Sequence, residues 1–359
     1  MRYLFALLTL AIAGGQTPEL KWIAASPAAA ELEVDGLPWF AQNKGEFVRL
    51  PMTLQKVVRA PVWNLAQSPS GGRIRFRTDA TAIGIRVEYP NAPNMANMHA
   101  FGQTGVDLYA DGTYIGTAIA DKDAAPGKVY EKIYFSGMPR VEREITIYLS
   151  LYKPVKVIAI GVDPEAHMLR ARRFALDRPI VFYGTSITQG GCASRPGMSY
   201  QAILGRMLNV DFVNLGFSGN GLGEPELAEA VGSIDAACFV LDFAQNNRTV
   251  ENLAKAYGPF LAKIRSKRTD VPILAITPIY RASEATGDSE NAKMREHIRQ
   301  VASRAIADGD RHLQIVEGTD LLGPAQADGL VDGTHPNDLG FQGMASGLAA
   351  RLREFLKLN

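Results

Sequence analysis

The chain has 359 residues, in which 38 Lys and Arg balance 37 Asp and Glu. At about 100 to 200 residues per domain, this length favours two domains, each long enough to bury its own core. With a formal net charge of +1 and no dense basic run, the chain offers no field that would favour nucleic acid or an anionic membrane. We therefore expect a neutral or locally recognised substrate.

The N-terminus has the composition of an export signal. Arg2 precedes an apolar run from Leu4 to Ala13 that ends in small residues. The run is shorter than the ~20 residues needed to span a bilayer, and no later apolar segment of that length lacks charges. The sequence therefore predicts a signal peptide over residues 1–14, a secreted or periplasmic protein and no membrane span. A hydrophobic N-terminal strand is the alternative.

Residues 20–165 have the pattern of half-buried antiparallel strands. Segments rich in Val, Ile, Tyr, Phe and Thr alternate in polarity with a period of two, as in 72–78, 83–89 and 144–149. Within 107–114 the pair Asp111-Gly112 is a strong hairpin signal. We expect an N-terminal β-sandwich resembling a jelly roll.

Several residues of this half are interpreted as structural. Asp107 and Tyr109 are assigned mainly to the hairpin, and Trp22, Trp39 and Trp63 to the core, although an exposed Trp could stack on a sugar. His99 precedes the hairpin and could face the domain interface, where a second-site role is the less favoured reading.

The C-terminal half has a different pattern. Residues 166–177, rich in Arg and Ala, are predicted to form a linker to a second domain over 178–359. There, strand and helix patterns alternate, which predicts a parallel five-stranded sheet in a three-layer α/β/α, flavodoxin-like domain. The predicted strands are 180–183, 212–215, 238–243, 273–277 and 313–316. The predicted helices are 200–208, 224–231, 250–266, 291–306 and 337–356.

Polar residues follow the strands whose carboxyl ends would form the binding crevice. In such sheets ligands bind where the winding direction reverses, between strands one and three. Ser186 follows strand one, Asn246 and Asn247 follow strand three, and the glycine-dense loop 216–221 lets its backbone approach a ligand closely. The turn 332–335, which carries Asp332 and His335, could close this crevice.

These segments resemble the four sequence blocks of the SGNH (GDSL-type) hydrolases. The resemblance covers about Arg178 to the C-terminus and implies Ser186 as nucleophile, Gly219 and Asn246 in the oxyanion hole, and Asp332 with His335 as the remaining catalytic pair. Gly105-Val106-Asp107-Leu108-Tyr109 is similar to the Gly-x-Asp-Leu-Tyr signature of a subgroup with an N-terminal β-domain. The resemblance then extends over nearly the whole mature chain.

Two positions depart from the usual blocks. Thr185 stands where Gly-Asp-Ser has Asp, and Asn247 stands where Gly-x-Asn-Asp has Asp. The first change is tolerable if Thr185 keeps a hydrogen bond, because that residue supports the turn without touching the scissile bond.

The serines of these blocks admit two alternative roles. Ser218 is a second candidate nucleophile, but its segment Gly-Phe-Ser-Gly-Asn differs from the nucleophile elbow Gly-x-Ser-x-Gly at the last position. Ser186 could also serve only as the cap of the following helix.

The chemistry explains why these residue types are needed. A serine hydroxyl is a weak nucleophile, so His335 must accept its proton while Asp332 orients the imidazole and stabilises the imidazolium. The backbone N–H groups of Ser186 and Gly219 and the amide of Asn246 would stabilise the oxyanion. This chemistry requires no metal and no cofactor, and no Cys or His cluster has zinc spacing.

Other polar residues near these blocks carry weaker signals. Arg195 could bind a polar substrate or hold a loop. Cys192 and Cys238 are the only cysteines; they could form one bridge, but two buried thiols are preferred.

The sequence as a whole predicts an exported serine esterase that forms an acyl-enzyme. The favoured enzyme is an O-acetylesterase that acts on a small-molecule or polysaccharide ester, with acetylated carbohydrate as the preferred substrate. A lipase or acyl-thioesterase is the enzyme alternative and requires a long apolar acyl pocket. A non-catalytic carbohydrate-binding protein is the alternative from another class. The oligomeric state is not predicted.

Overall fold

The computed structural model describes residues 17–358. The predicted signal peptide over residues 1–14 therefore lies outside the described residues. Within the described part, none of the helices combines the length and the apolar character needed to cross a bilayer.

Two antiparallel sheets form most of the N-terminal half. The strands are Lys21–Ala24 (β1), Glu33–Asp35 (β2), Arg73–Thr78 (β3), Ile83–Glu88 (β4), Val106–Ala110 (β5), Thr113–Ala118 (β6), Val129–Phe135 (β7), Arg143–Tyr148 (β8), Lys156–Val162 (β9) and Met168–Leu169 (β10). One sheet has the strand order β1-β9-β4-β7, and the other has β10-β3-β8-β5-β6 with β2 paired to β3. Side chains from both sheets pack into one buried apolar cluster. The predicted strands at 72–78, 83–89 and 144–149 correspond to β3, β4 and β8.

The predicted hairpin is formed by β5 and β6. Asp111 and Gly112 have φ values of 48° and 77°. Positive φ at both central residues defines the type I′ turn that matches the twist of the flanking strands.

Residues 48–66 lie outside the strand pattern. They include the helix Ala60–Ala66 (α1), which has a proline in its first turn. Val62 and Trp63 of this helix are buried in an apolar cluster with residues of the C-terminal half. Trp63 is thus a core residue as expected, whereas Trp22 and Trp39 are half-buried.

The predicted linker over 166–177 is partly ordered by the N-terminal sheets. Its strand β10 pairs with β3, Met168 lying opposite Thr78. The guanidinium of Arg75 lies 3.8 Å from the ring centroid of Phe174. This segment therefore packs on the β-domain rather than hanging free.

A parallel five-stranded sheet organises the C-terminal half. The strands are Ile180–Gly184 (β11), Phe212–Gly216 (β12), Cys238–Asp242 (β13), Ile273–Ile276 (β14) and Leu313–Val316 (β15). Their order, β12-β11-β13-β14-β15, is the flavodoxin-like arrangement expected from the sequence. Every predicted strand and helix end in this half lies within two residues of the observed one. The helices after α1 are Ala100–Thr104 (α2), Ser186–Gln189 (α3), Tyr200–Leu208 (α4), Pro225–Ser233 (α5), Val250–Lys267 (α6), Glu290–Ala307 (α7), Gly318–Leu321 (α8) and Asp338–Leu356 (α9).

The strands of this sheet are apolar on both faces. Val181 and Tyr183 of β11 point into a cluster with α5, α6 and α7, whereas Ile180 and Phe182 point into a second cluster with α4 and α9. Successive side chains of a strand face opposite sides, so a sheet covered by helices on both faces needs a continuous apolar run.

Two buried arginines join the halves along the open edge of β12. Arg49 donates from Nη1 to the carbonyls of Asn214 and Gly216, and Arg73 donates from Nη1 to the carbonyl of Phe212 over 3.2 Å. These alternate carbonyls face away from β11. Arg49 and Arg73 are 1% and 2% exposed. The N-terminal half thus satisfies edge acceptors that would otherwise be buried without a donor.

We predict that replacing Arg49 by Leu destabilises the whole protein. Its guanidinium also donates to the carbonyls of Ser68 and Leu65 over 2.7 and 2.8 Å. Each buried carbonyl left without a donor costs about 1–3 kcal/mol, so the free energy of unfolding should fall by about 3 kcal/mol or more. Urea denaturation measures the change. The control is Arg304→Leu, which removes an arginine that is 86% exposed and only loosely paired with Asp308, and it should cost less than about 1 kcal/mol. Equal stability of the two variants would contradict the role given to Arg49.

Candidate active site

The nucleophile turn connects β11 to the short helix α3. Thr185 is buried, and its side chain accepts a hydrogen bond of 3.1 Å from the amide of Ile187, which caps the helix. Gly184 is required here because a Cβ at this position would lie 1.9 Å from Oγ1 of Thr188. Ser186 follows directly and is 9% exposed. Thr185 thus keeps the hydrogen bond on which its substitution for Asp depended.

A buried carboxyl group lies beside α3. Asp242, at the end of β13, accepts hydrogen bonds of 3.3 Å from the hydroxyls of Thr188 and Tyr200. Burial raises the pKa of Asp242 to about 7. Through Thr188, this group fastens the nucleophile helix to the central strand.

Ser186, His335 and Asp332 form a continuous hydrogen-bonded chain. Ser186 Oγ lies 2.8 Å from His335 Nε2. His335 Nδ1 lies 2.8 Å from Asp332 Oδ2 and 3.1 Å from Oδ1. These distances are within the reach needed for proton transfer from the serine to the imidazole and for orientation of the ring.

Asp332 is held by residues on both sides of the domain junction. Its Oδ1 accepts from the amides of Thr334 and His335, at 3.1 and 2.9 Å, and its Oδ2 accepts from Nδ2 of Asn97 at 3.0 Å. Burial raises the pKa of Asp332, but hydrogen bonds from Asn97 and from the amide and ring of His335 outweigh it, so the pKa lies below its usual range. The carboxylate is therefore ionised beside the imidazole.

The predicted oxyanion donors lie on neighbouring loops. Gly219 has φ +65°, and added bulk at its Cβ position would meet no atom within 4 Å. Among the described residues, neither the amide of Gly219 nor that of Ser186 donates a hydrogen bond. Asn246 Nδ2 contacts the carbonyls of Phe217 and Gly221 at 3.0 and 3.3 Å. The Asn246 side chain is thus anchored to the Gly219 loop, and the longer contact must yield if Nδ2 is to donate to a substrate oxygen.

The N-terminal half braces these loops through residues that sequence reasoning missed. Arg59 donates to the side chain and carbonyl of Asn220, at 3.0 and 2.9 Å, and is paired with Glu224. The hydroxyl of Tyr152 donates to the carbonyl of Ser186 over 3.1 Å. No local pattern marks these residues, because each partner is distant in sequence.

Cys192 is the third residue beside Asp332 and His335. Its Sγ lies within 4.8 Å of ligand atoms of both, the arrangement of three potential metal ligands. Burial, assisted by the charge of Asp332, raises the pKa of the Cys192 thiol to about 12. The thiol is therefore protonated at neutral pH, and the imidazole nitrogens already contact Ser186 and Asp332. Both cysteines are free and buried, as preferred from the sequence.

Arg195 contacts the N-terminal hairpin rather than the catalytic residues. It forms an ion pair of 3.1 Å with the fully buried Asp107, bonds the hydroxyl of Tyr109 and lies 3.8 Å from the ring centroid of Tyr114. Asp107 also accepts from the amide of Gly197 over 2.8 Å. These contacts favour the loop-holding reading of Arg195 and give Asp107 and Tyr109 a role in joining the halves.

Two further sequence candidates lie apart from the catalytic chain. The amide of Ser218 donates to Gln189 Oε1 over 2.9 Å, and its hydroxyl has no hydrogen bond to His335. His99 caps α2 by accepting from the amide of Phe101.

A cavity of about 780 Å³, lined in part by Leu261, lies between α6 and α7 at the end of the sheet opposite to the catalytic residues. It therefore offers no access to Ser186.

Comparison with known proteins assigns both halves. A model of the GDSL-like lipase/acylhydrolase family matches residues 177–353, and a model for the N-terminus of SGNH-hydrolase-type esterases, described as GxDLY, matches residues 20–168. No curated protein sequence matches the chain.

Solved structures extend the likeness over both halves. A GDSL-like lipase from Bacteroides ovatus ATCC 8483 has 31% sequence identity and a TM-score of 0.83, covering 95% of this chain and 99% of its own. The salicylyl-acyltransferase SsfX3 from a tetracycline biosynthetic pathway has 19% identity and a TM-score of 0.75, with coverages of 91% and 95%. The acetyl xylan esterase Est2A from Butyrivibrio proteoclasticus has 15% identity and a TM-score of 0.57, with coverages of 80% and 91%. The acyltransferase and the acetyl xylan esterase, both with low sequence identity, share the fold of this chain. Since the identity to the first exceeds 30% over nearly the full length, the chain belongs to the GDSL-like lipase/acylhydrolase family and is a hydrolase of ester bonds.

Proposed function

We propose that this protein is an exported serine O-acetylesterase that acts on acetylated carbohydrate. The observation that carries the catalytic part is the 2.8 Å contact between Ser186 Oγ and His335 Nε2, continued to Asp332. The carbohydrate part is supported by the fold shared with the acetyl xylan esterase and by the neutral charge balance of the chain.

The proposed reaction proceeds through an acyl-enzyme. Ser186 Oγ attacks the ester carbonyl carbon while its proton passes to His335 Nε2, and Asp332 stabilises the imidazolium. The amides of Ser186 and Gly219, with Asn246, receive the oxyanion. His335 then returns the proton to the leaving alcohol. Water, deprotonated by His335, attacks the acyl carbonyl, which releases the carboxylic acid and restores the serine.

Ser186→Ala should abolish esterase activity while leaving the fold intact. We expect the wild type to hydrolyse p-nitrophenyl acetate in preference to butyrate and octanoate and to release acetate from acetylated xylan. Loss of the nucleophile should reduce kcat by at least about 10³-fold, because the serine and histidine act as a unit. Spectrophotometric p-nitrophenol release and acetate quantification measure the two reactions.

The matched control is Ser218→Ala, which removes the neighbouring loop serine and should retain most of the activity. A preference for octanoate would replace the acetylesterase by a lipase, the activity in the name of the Bacteroides relative. Absence of Ser186-dependent hydrolysis of every ester would favour a carbohydrate-binding protein.

Asn97 should position Asp332 during catalysis. Its amide contacts Oδ2, the same oxygen that faces His335 Nδ1. Asn97→Leu removes the contact to Oδ2, while the amides of Thr334 and His335 still hold Oδ1. We expect kcat for p-nitrophenyl acetate to fall about 10-fold with little change in KM, since a lost hydrogen bond to a charged group is worth about 1.5 kcal/mol or more. Asn91→Leu, in the same loop, is the control. Equal kcat values for the two variants would remove Asn97 from the catalytic arrangement.

Export is the remaining part of the proposal. We expect the protein expressed in its native type of cell to begin after about Gly14 and to occur outside the cytoplasm. Mass spectrometry of the purified N-terminus measures the cleavage site. The double substitution Leu7→Arg and Leu8→Arg interrupts the apolar run and should retain the protein in the cytoplasm. An uncleaved wild-type chain in the cytoplasm would refute export and leave the esterase assignment untouched.

A further inference from the structure

The loop after β14 lies between the two loops that carry the proposed catalytic groups. On one side, Gln245, which precedes Asn246, donates from Nε2 to the carbonyl of Ile279 over 3.3 Å. On the other side, the amide of Ala282 donates to the carbonyl of Gly333 over 2.8 Å, next to Asp332. Arg281 stands between these two contacts, at the carboxyl edge of the sheet. Its side chain therefore originates between the Asn246 loop and the Asp332 turn.

Among the residues that the structure describes, the guanidinium of Arg281 has no hydrogen-bond or ion-pair partner. Within residues 17–358 its Nε is enclosed without an acceptor. The adjacent acid Glu284 is occupied by Arg295, whose Nη1 and Nη2 lie 2.7 and 2.8 Å from its two oxygens. Asp288 is directed to the hydroxyl of Ser283 at 2.9 Å. Glu284 Oε1 accepts only from the backbone amide of Arg281, at 2.8 Å. Among the described residues, neither of these two carboxylates therefore pairs with the Arg281 guanidinium.

This arrangement leaves a partly desolvated cation beside the catalytic turn. Burial lowers the pKa of Arg281, against the attraction of Asp288, Glu284 and Asp332. Enclosed polar groups normally have a hydrogen-bond partner. A desolvated charge without a partner destabilises the protein, and a bound ligand of opposite charge can offset that cost. A planar guanidinium matches a carboxylate through two parallel hydrogen bonds.

We propose that Arg281 receives a carboxylate of the substrate, so that the preferred ester carries a negative charge close to the scissile bond. This inference rests on the esterase function proposed above and narrows it to acidic esters. The carboxylate can belong to the alcohol part, as in an acetylated uronic acid, or to the acyl part, as in the half-ester of a dicarboxylic acid.

Two pairs of substrates separate these sources. The alcohol-side pair is the mono-O-acetylated methyl glucuronoside and methyl glucoside, and the acyl-side pair is p-nitrophenyl hemisuccinate and p-nitrophenyl butyrate. In one of the two pairs, kcat/KM of the wild type should be about 10- to 100-fold higher for the acidic ester than for the neutral one, the range expected for a charged hydrogen-bonded contact. The pair that shows this preference identifies whether the carboxylate belongs to the alcohol or to the acyl part. Arg281→Met should remove this ratio, and Arg281→Lys should keep part of it.

Two controls keep the outcome specific. Arg304→Met removes an arginine that is 86% exposed on α7 and should leave both ratios unchanged. The far-UV circular dichroism spectrum and the thermal unfolding midpoint of Arg281→Met should match those of the wild type, which shows an intact fold. Acid-to-neutral ratios near one in both pairs, or ratios that Arg281→Met does not alter, would overturn the inference.

Binding without turnover separates this inference from the proposed function. Calorimetric titration of Ser186→Ala with the acetylated glucuronoside and with the hemisuccinate should show binding of one of them that the additional Arg281→Met substitution weakens about 10-fold or more. If this binding is observed but no ester is hydrolysed in a Ser186-dependent way, the proposed carboxylate site is supported and the proposed esterase function is contradicted. Hydrolysis of neutral esters without Arg281-dependent recognition in either assay would do the reverse.

Discussion

The hydrogen bonds from Arg49 and Arg73 to the open edge of β12 are the constraint on which the molecule depends. A parallel sheet has two outer strands, and the outward carbonyls of such a strand need donors wherever another domain excludes water. Here the donors are guanidinium groups. Burial lowers the pKa of Arg49 to about 9, so it remains charged at neutral pH despite the cost of desolvation. The same side chain fixes the beginning of the loop that carries Gly219, because Gly216 is one of its acceptors.

From this junction follows the composite character of the site. The nucleophile, the imidazole and the carboxylate belong to the C-terminal half. Three residues of the N-terminal half contact the segments that hold them: Asn97 contacts the Asp332 turn, Tyr152 the first residue of α3, and Arg59 the Gly219 loop. Arg195 makes the reciprocal contact, from the C-terminal half to Asp107 of the Gly-x-Asp-Leu-Tyr segment. The β-domain is therefore part of the structural support of the catalytic residues.

Sequence periodicity predicted the regular parts of this fold closely. The five parallel strands and the helices between them are long apolar or amphipathic runs, and the Asp111-Gly112 turn has one favourable conformation. The segment 48–66 was not anticipated, because its apolar residues serve the core of the other half and so follow no strand period. Likewise, Ser186, Asp332 and His335 could be found from local blocks, whereas Asn97 and Arg281 carry no local signal. Their significance depends on which distant loop lies next to them, or on the lack of a partner there.

The hydrogen bond from the amide of Ile187 to Thr185 has a consequence for how this family is identified. In this chain the residue at the Asp position of Gly-Asp-Ser is the N-cap of α3, and several small side chains with an acceptor oxygen cap helices comparably well. The Asp of Gly-Asp-Ser can therefore be replaced by another capping residue, and the following serine keeps the same position at the start of the helix. A search that scores this position by hydrogen-bonding capacity would retain such divergent members, whereas one that demands the acidic letter would discard them.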